Sequence, residues 1–181
     1  FLGITIQYEM CYTNILQVLD LSQIPLFAKD RGNDDPIVIG GGPCTYNPEP
    51  LADFFDIFYI GEGETVYNEL LDAYKEWKAS GAPRKEFLER AAEIPGLYVP
   101  AFYDVTYNED GTIASFEPNN VHAKRTIEKQ MVLDITNTYS SGETGRAIYQ
   151  SDTGPCCTGD SKRLYSRMSF LSGGYALSPD A

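Results

Sequence analysis

Two short apolar runs, each stopped by glycine, set the limits on what this chain folds into. Ile37-Val38-Ile39 ends at Gly40-Gly41-Gly42-Pro43, and the run Asp56 to Ile60 ends at Gly61-Glu62-Gly63-Glu64. Short β-branched or aromatic runs without polar alternation fit strands covered on both faces, as in a parallel sheet flanked by helices. Glycine at the end of such a strand lets backbone approach something closely, and ligands of open α/β sheets lie at the carboxyl ends of the strands. The same residues also suit a tight turn with no ligand, and Glu64 at a helix start is favoured by the helix dipole whatever the function. Both readings stand at this point.

The flanking patterns supply the rest of an α/β unit. Phe1 to Glu9 places apolar residues at Leu2, Ile4 and Ile6 and reads as a strand. Asn14 to Leu21 reads as a helix with Thr13 or Asn14 as N-cap, and Pro48 and Pro50 introduce another expected over Glu49 to Phe55. Thr65 to Ser80 is the clearest helix: Val66, Leu70, Ala73 and Trp77 form one stripe, and Gly81 and Pro83 stop it. Arg84 to Glu93 repeats the helical period more weakly. From Gly96 the period becomes two, around Asn108-Glu109-Asp110-Gly111, and Asp-Gly between alternating runs predicts a β-hairpin. The division expected is an α/β domain over 1–95, a hairpin and linker over 96–136, and an atypical tail over 137–181. That tail is rich in Ser, Gly, Thr and Asp and has no sustained period, which reads either as disorder or as an artefactual end.

Charge and cysteine usage narrow the function. A formal charge of −12 argues against a nucleic-acid surface and against an anionic membrane face. No apolar run approaches the ~20 residues of a membrane span, so a cytoplasmic location is expected. Cys11, Cys44, Cys156 and Cys157 show no CxxC or CxxxCxxC spacing, which predicts free thiols, with Cys44 buried and inert. His122, the only histidine, lies in a polar connector and is not expected to bind metal. The chain opens inside a strand-like run without methionine, from which further sequence upstream is expected in a parent protein.

In order, GITIQYE, IVIGGGPCTYNPEPLADFFD, YIGEGET and AEIPGLYVP make the chain similar to the amino-terminal region of the B12-binding-domain radical SAM proteins, over roughly Phe1 to Ile135. The resemblance implies a Rossmann/flavodoxin-like parallel sheet of cobalamin-binding type, here partial, followed by the hairpin and placed before a radical SAM barrel. It implies that Thr5 lies against cobalamin, that Gly41, Gly42 and Pro43 line the lower face of the cofactor, and that Glu62, Gly63 and Glu64 form the second corner. It further implies a parent that cleaves SAM with a [4Fe–4S] cluster. Two departures accompany it. The loop carrying a lower axial histidine is missing, and so is the CxxxCxxC that would hold the cluster. Three thiolates and one open iron are needed to cleave SAM, so the chain alone is expected to be inactive.

The radical SAM domain of the parent is therefore the expected partner, and an incomplete sheet with an open edge predicts self-association. The alternative is a non-catalytic Rossmann-like interaction module that holds no corrinoid. A flavodoxin-like FMN enzyme is a further reading, against which stands the lack of a phosphate loop.

Overall fold

The structure is a computed structural model that describes residues 1–133; the expected tail over 137–181, with Cys156 and Cys157, lies outside the described residues. Phe1–Met131 form one compact unit. Its centre is a four-stranded sheet in the order β1 (Leu2–Thr5), β2 (Val38–Gly41), β3 (Ile57–Tyr59), β4 (Leu97–Tyr98). β1, β2 and β3 are parallel, with Thr5 beside Gly41 and Gly40 beside Phe58. β4 is antiparallel to β3, pairing Phe58 with Tyr98. The expected α/β class is what the structure shows, and the sheet continues past residue 95, through β4, into the segment read from sequence as hairpin and linker.

Strand alternation sorts the core into two layers. Ile37, Ile57, Tyr59 and Leu97 face α2 (Tyr67–Ser80) and α3 (Arg84–Glu93), where Leu70, Ala73, Trp77, Phe87 and Ala91 meet them. Val38, Phe58 and Tyr98 face the other way, onto Ile15 and Leu19 of α1 (Tyr12–Leu21) and onto Leu51 and Phe55. Burial of each of these large side chains contributes about 1.5–3 kcal/mol, and both faces of a strand as short as Ile57–Tyr59 are used. α2 ends as its sequence demands. Gly81 takes φ 68° in the left-handed region, and the Trp77 indole N–H lies 2.9 Å from the Ala82 carbonyl and 3.1 Å from that of Pro83.

Two local expectations need correcting. α1 begins at Tyr12, not Asn14, and neither Thr13 nor Asn14 caps it; a 3₁₀ turn over Glu9–Cys11 feeds straight into the helix. Glu49–Phe54 is a 3₁₀ segment and not the α-helix expected over Glu49 to Phe55; it is a short connector between the Gly42 corner and β3, and tighter i→i+3 turns are common in connectors of that length.

The hairpin forms as read, from β5 (Tyr103–Tyr107) and β6 (Ile113–Pro118). Gly111 has φ 82°, and the Asp110 carboxylate accepts from the backbone N–H and the hydroxyl of Thr112 at 3.0 and 2.7 Å. Those bonds hold the Asp110 carboxyl below its ordinary range. No helix among the described residues is long and apolar enough to cross a membrane. Among the described residues β1 pairs with β2 alone.

Candidate functional site

The parallel register of β1, β2 and β3 brings the sequence-selected residues to one end of the sheet. Thr5 closes β1, Gly41 closes β2 with Gly42 and Pro43 immediately after it, and Glu62, Gly63 and Glu64 follow β3. Thr5, Pro43 and Glu64 are exposed, while Gly41, Gly42, Glu62 and Gly63 are half-buried.

At the first corner Gly42 has φ 101°, and the chain turns at once into a 3₁₀ segment over Pro43–Tyr46. A Cβ at Gly42 would come within 2.8 Å of the Ile6 carbonyl oxygen and 3.1 Å of the Thr5 methyl. One at Gly40 would come within 2.7 Å of the Phe58 ring. Gly41 differs: a Cβ there meets nothing within 4 Å. The corner is locked by Thr45, which sequence reasoning missed. Its side chain is buried, and its hydroxyl lies 2.7 Å from the Gly42 carbonyl and 3.1 Å from that of Tyr59, so it bridges the first corner to the end of β3. A buried Thr four residues after a strand carries no distinctive sequence signal.

At the second corner the space beside glycine is occupied by the protein. Gly61 has φ 129°, and a Cβ on it would overlap the backbone of Gln130, which returns from the connector to pair with it. Glu62 N–H donates to the Gln130 carbonyl at 3.0 Å, and Gln130 N–H donates to the Ile60 carbonyl at 3.1 Å. A Cβ on Gly63 would overlap the Tyr67 ring. The Tyr59 hydroxyl donates to the Glu62 carbonyl at 2.5 Å, tightening the turn.

Around this end sit large exposed side chains. Tyr8 and Met10 follow β1, Tyr46 follows β2 and Tyr67 follows β3, and each is more than half exposed. Cys44 is half-buried and not buried as expected, beside Tyr12. Its thiol is pushed up by burial and by the negative charge of Glu9, which keeps it protonated and unreactive at neutral pH. His122 is elsewhere, with Nδ1 2.7 Å from a carboxylate oxygen of Glu93. Among the described residues no three His, Cys, Asp or Glu side chains are grouped to hold a metal ion.

The amino ends of β2 and β3 are built differently. Asp56 Oδ2 accepts from Arg31 Nη1 at 3.0 Å, from Arg84 Nη2 at 2.9 Å and from Val38 N–H at 2.8 Å. Arg31 also donates to the carbonyls of Pro25, Leu26 and Phe54, and Arg84 to those of Gly32, Asp35 and Pro36. Sequence reasoning missed all three residues, which lie 25 and 28 positions apart. Beside them opens a cleft of about 600 Å³ that runs to Tyr98, Tyr103 and the base of the hairpin.

A mostly parallel sheet with helices on both faces and its corner loops at the carboxyl ends defines an α/β domain. Within that class, the chain belongs to the family described as radical SAM proteins, N-terminal, which matches residues 1–100. It is 40% identical over 89 residues to an uncharacterized protein of Methanocaldococcus jannaschii, an alignment covering 48% of this chain and 18% of that protein. The chain therefore matches less than a fifth of that relative's length. No solved structure matches it.

Proposed function

We propose that this chain is the N-terminal module of a radical SAM protein and that it serves as a docking platform for the rest of its parent, holding no corrinoid. The observation that carries this reading is the close approach of Gln130 to Gly61: the second glycine corner makes room for the protein's own backbone. Gly63 does the same for Tyr67, and Gly42 for Ile6. Exposed Tyr8, Met10, Tyr46 and Tyr67 at the same end supply apolar area of the kind that marks interaction surfaces. The parent in this proposal cleaves SAM at a [4Fe–4S] cluster, with cluster ligands supplied by its own radical SAM domain and not by this chain.

Adding hydroxocobalamin to the chain tests the reading. Its visible bands are expected to stay unchanged, and the corrinoid to pass fully through a dialysis membrane that retains the protein. In the parent, Met10→Glu with Tyr46→Glu is expected to lower SAM cleavage, while the same pair leaves the unfolding midpoint of the chain alone unaltered. Cleavage at the unsubstituted rate would remove the docking role.

A second reading keeps cobalamin, and one observation favours it: Gly41, next to Thr5, faces open space. A spectral shift that Gly41→Leu abolishes would establish it. For the outer side of β1 we propose pairing with a second copy, since Leu2 to Thr5 carry no charge or proline to block it. A concentration-independent monomer mass by light scattering would exclude that.

A further inference from the structure

The connector that returns to the second glycine corner is pinned firmly at one end and held by a single residue at the other. Its start is tied to α3 and to the base of the hairpin. Asn120 Nδ2 donates to a Glu89 carboxylate oxygen at 3.2 Å, His122 Nδ1 lies 2.7 Å from that of Glu93, and Lys124 Nζ donates to the Glu93 carbonyl at 2.7 Å. The Tyr103 hydroxyl donates to the Lys124 carbonyl at 2.6 Å. The far end meets the sheet through Gln130. Ile60 N–H donates to the Gly96 carbonyl at 2.8 Å, and the Ile60 carbonyl accepts from Gln130 N–H at 3.1 Å. Gln130 therefore continues the β4 side of β3. Gly61 and Gly96, with φ 129° and 79°, form the socket around it. A Cβ on Gly61 would overlap the Gln130 backbone, and one on Gly96 would come within 2.6 Å of the Gln130 side chain.

Little holds the stretch between these two anchors. Arg125 to Lys129 are exposed apart from half-buried Ile127, which packs against the core layer of Val38 and Phe58. An exposed ion pair joins Arg125 to Glu117 at 3.0 Å, and Lys129 Nζ lies 5.5 Å from the centre of the Tyr46 ring. Surface pairs of this kind contribute little. A hollow of about 490 Å³ lies along the stretch, lined by Pro95, Gly96 and the connector's own residues. The pairing of Gln130 with Gly61 is an isolated bridge outside any strand. Segments with few buried apolar contacts are the ones that open locally, below the free energy of global unfolding.

We propose that residues 125–131 form a strap with Gln130 as its latch, which opens without unfolding the sheet and in opening uncovers Gly61 and the N–H of Glu62. The second glycine corner is then a gated place on the molecule, closed by the chain's own backbone and accessible only when the latch is out. The latch is a property of this chain alone, so its test is independent of SAM cleavage by the parent. Hydrogen exchange resolved by amide, measured by NMR on the whole chain, is that test. The Gln130 and Glu62 amides, bonded across the latch, are expected to exchange together and about tenfold or more faster than the neighbouring Ile60 amide, which is bonded within the sheet. Gln130→Pro removes the latch donor and is expected to speed Glu62 by about a further tenfold while leaving Ile60 unaltered. Exchange of Gln130 and Glu62 at the Ile60 rate overturns the proposal. So does a Gln130→Pro chain in which Glu62 keeps its protection or Ile60 loses it.

Discussion

At the amino ends of β2 and β3 one carboxylate is gripped by two guanidiniums, whereas at their carboxyl ends the contacts are made by backbone that glycine has freed of side chains. The first end is closed by charge and hydrogen bonding over long sequence distances. The second is closed by shape. The lesson is that the two ends should fail in opposite ways, one when an atom is taken away and the other when an atom is added.

The largest expected effect is at Asp56. Asp56→Ala strands two buried guanidiniums and removes the acceptor of Val38 N–H, so urea unfolding should show a loss of about 3–5 kcal/mol. Next comes Gly61→Ala, which forces a Cβ into φ 129° and onto the Gln130 backbone; a loss of about 1–3 kcal/mol is expected by the same measurement. If Gly61→Ala were neutral, the contrast between the two ends would collapse.

Tyr98→Phe removes one hydrogen bond to Glu49 and should cost about 1 kcal/mol at neutral pH. It also sharpens the comparison through pH. Burial first, then the Glu49 hydrogen bond, raise the Tyr98 pKa above its ordinary 10.0. The folded state therefore holds this proton more tightly than the unfolded chain does. The associated stability is fully present below pH about 10 and declines as pH rises above it, because the unfolded tyrosine ionises first. Unfolding midpoints measured from pH 9 to 11 should fall less steeply in Tyr98→Phe than in the unaltered protein. The smallest effect is expected at Gly41→Ala, within about 0.5 kcal/mol, since a Cβ there meets nothing and the backbone is ordinary strand. A large loss at Gly41 would show that both corners are equally crowded.

Much of this was legible beforehand where neighbouring residues decide it. The strands at 37–39 and 56–60, the helix ending at Gly81 and the turn at Asp110-Gly111 follow from period and turn chemistry within a few residues. Both glycine corners were placed at strand ends, and the parallel register brings them to one end of the sheet as read. Less was legible about why they are glycine. The occupants, Gln130 and Tyr67, are unremarkable residues in sequence, and nothing near Gly61 announces a partner 69 positions away. The 3₁₀ course of Glu49–Phe54 was hidden too, because prolines that suit a helix start suit a 3₁₀ descent equally well.

By itself the sequence determined the alternation of buried strands with amphipathic helices, and the family to which the chain belongs, since both rest on local pattern. Only the tertiary structure decided that β4 joins the sheet antiparallel, that Thr45 ties the first corner to the end of β3, and that Arg31 and Arg84 meet on Asp56. Those contacts join residues far apart in the chain. Their free energy appears only once the whole sheet has brought them within hydrogen-bonding distance, and no window of neighbouring residues contains it.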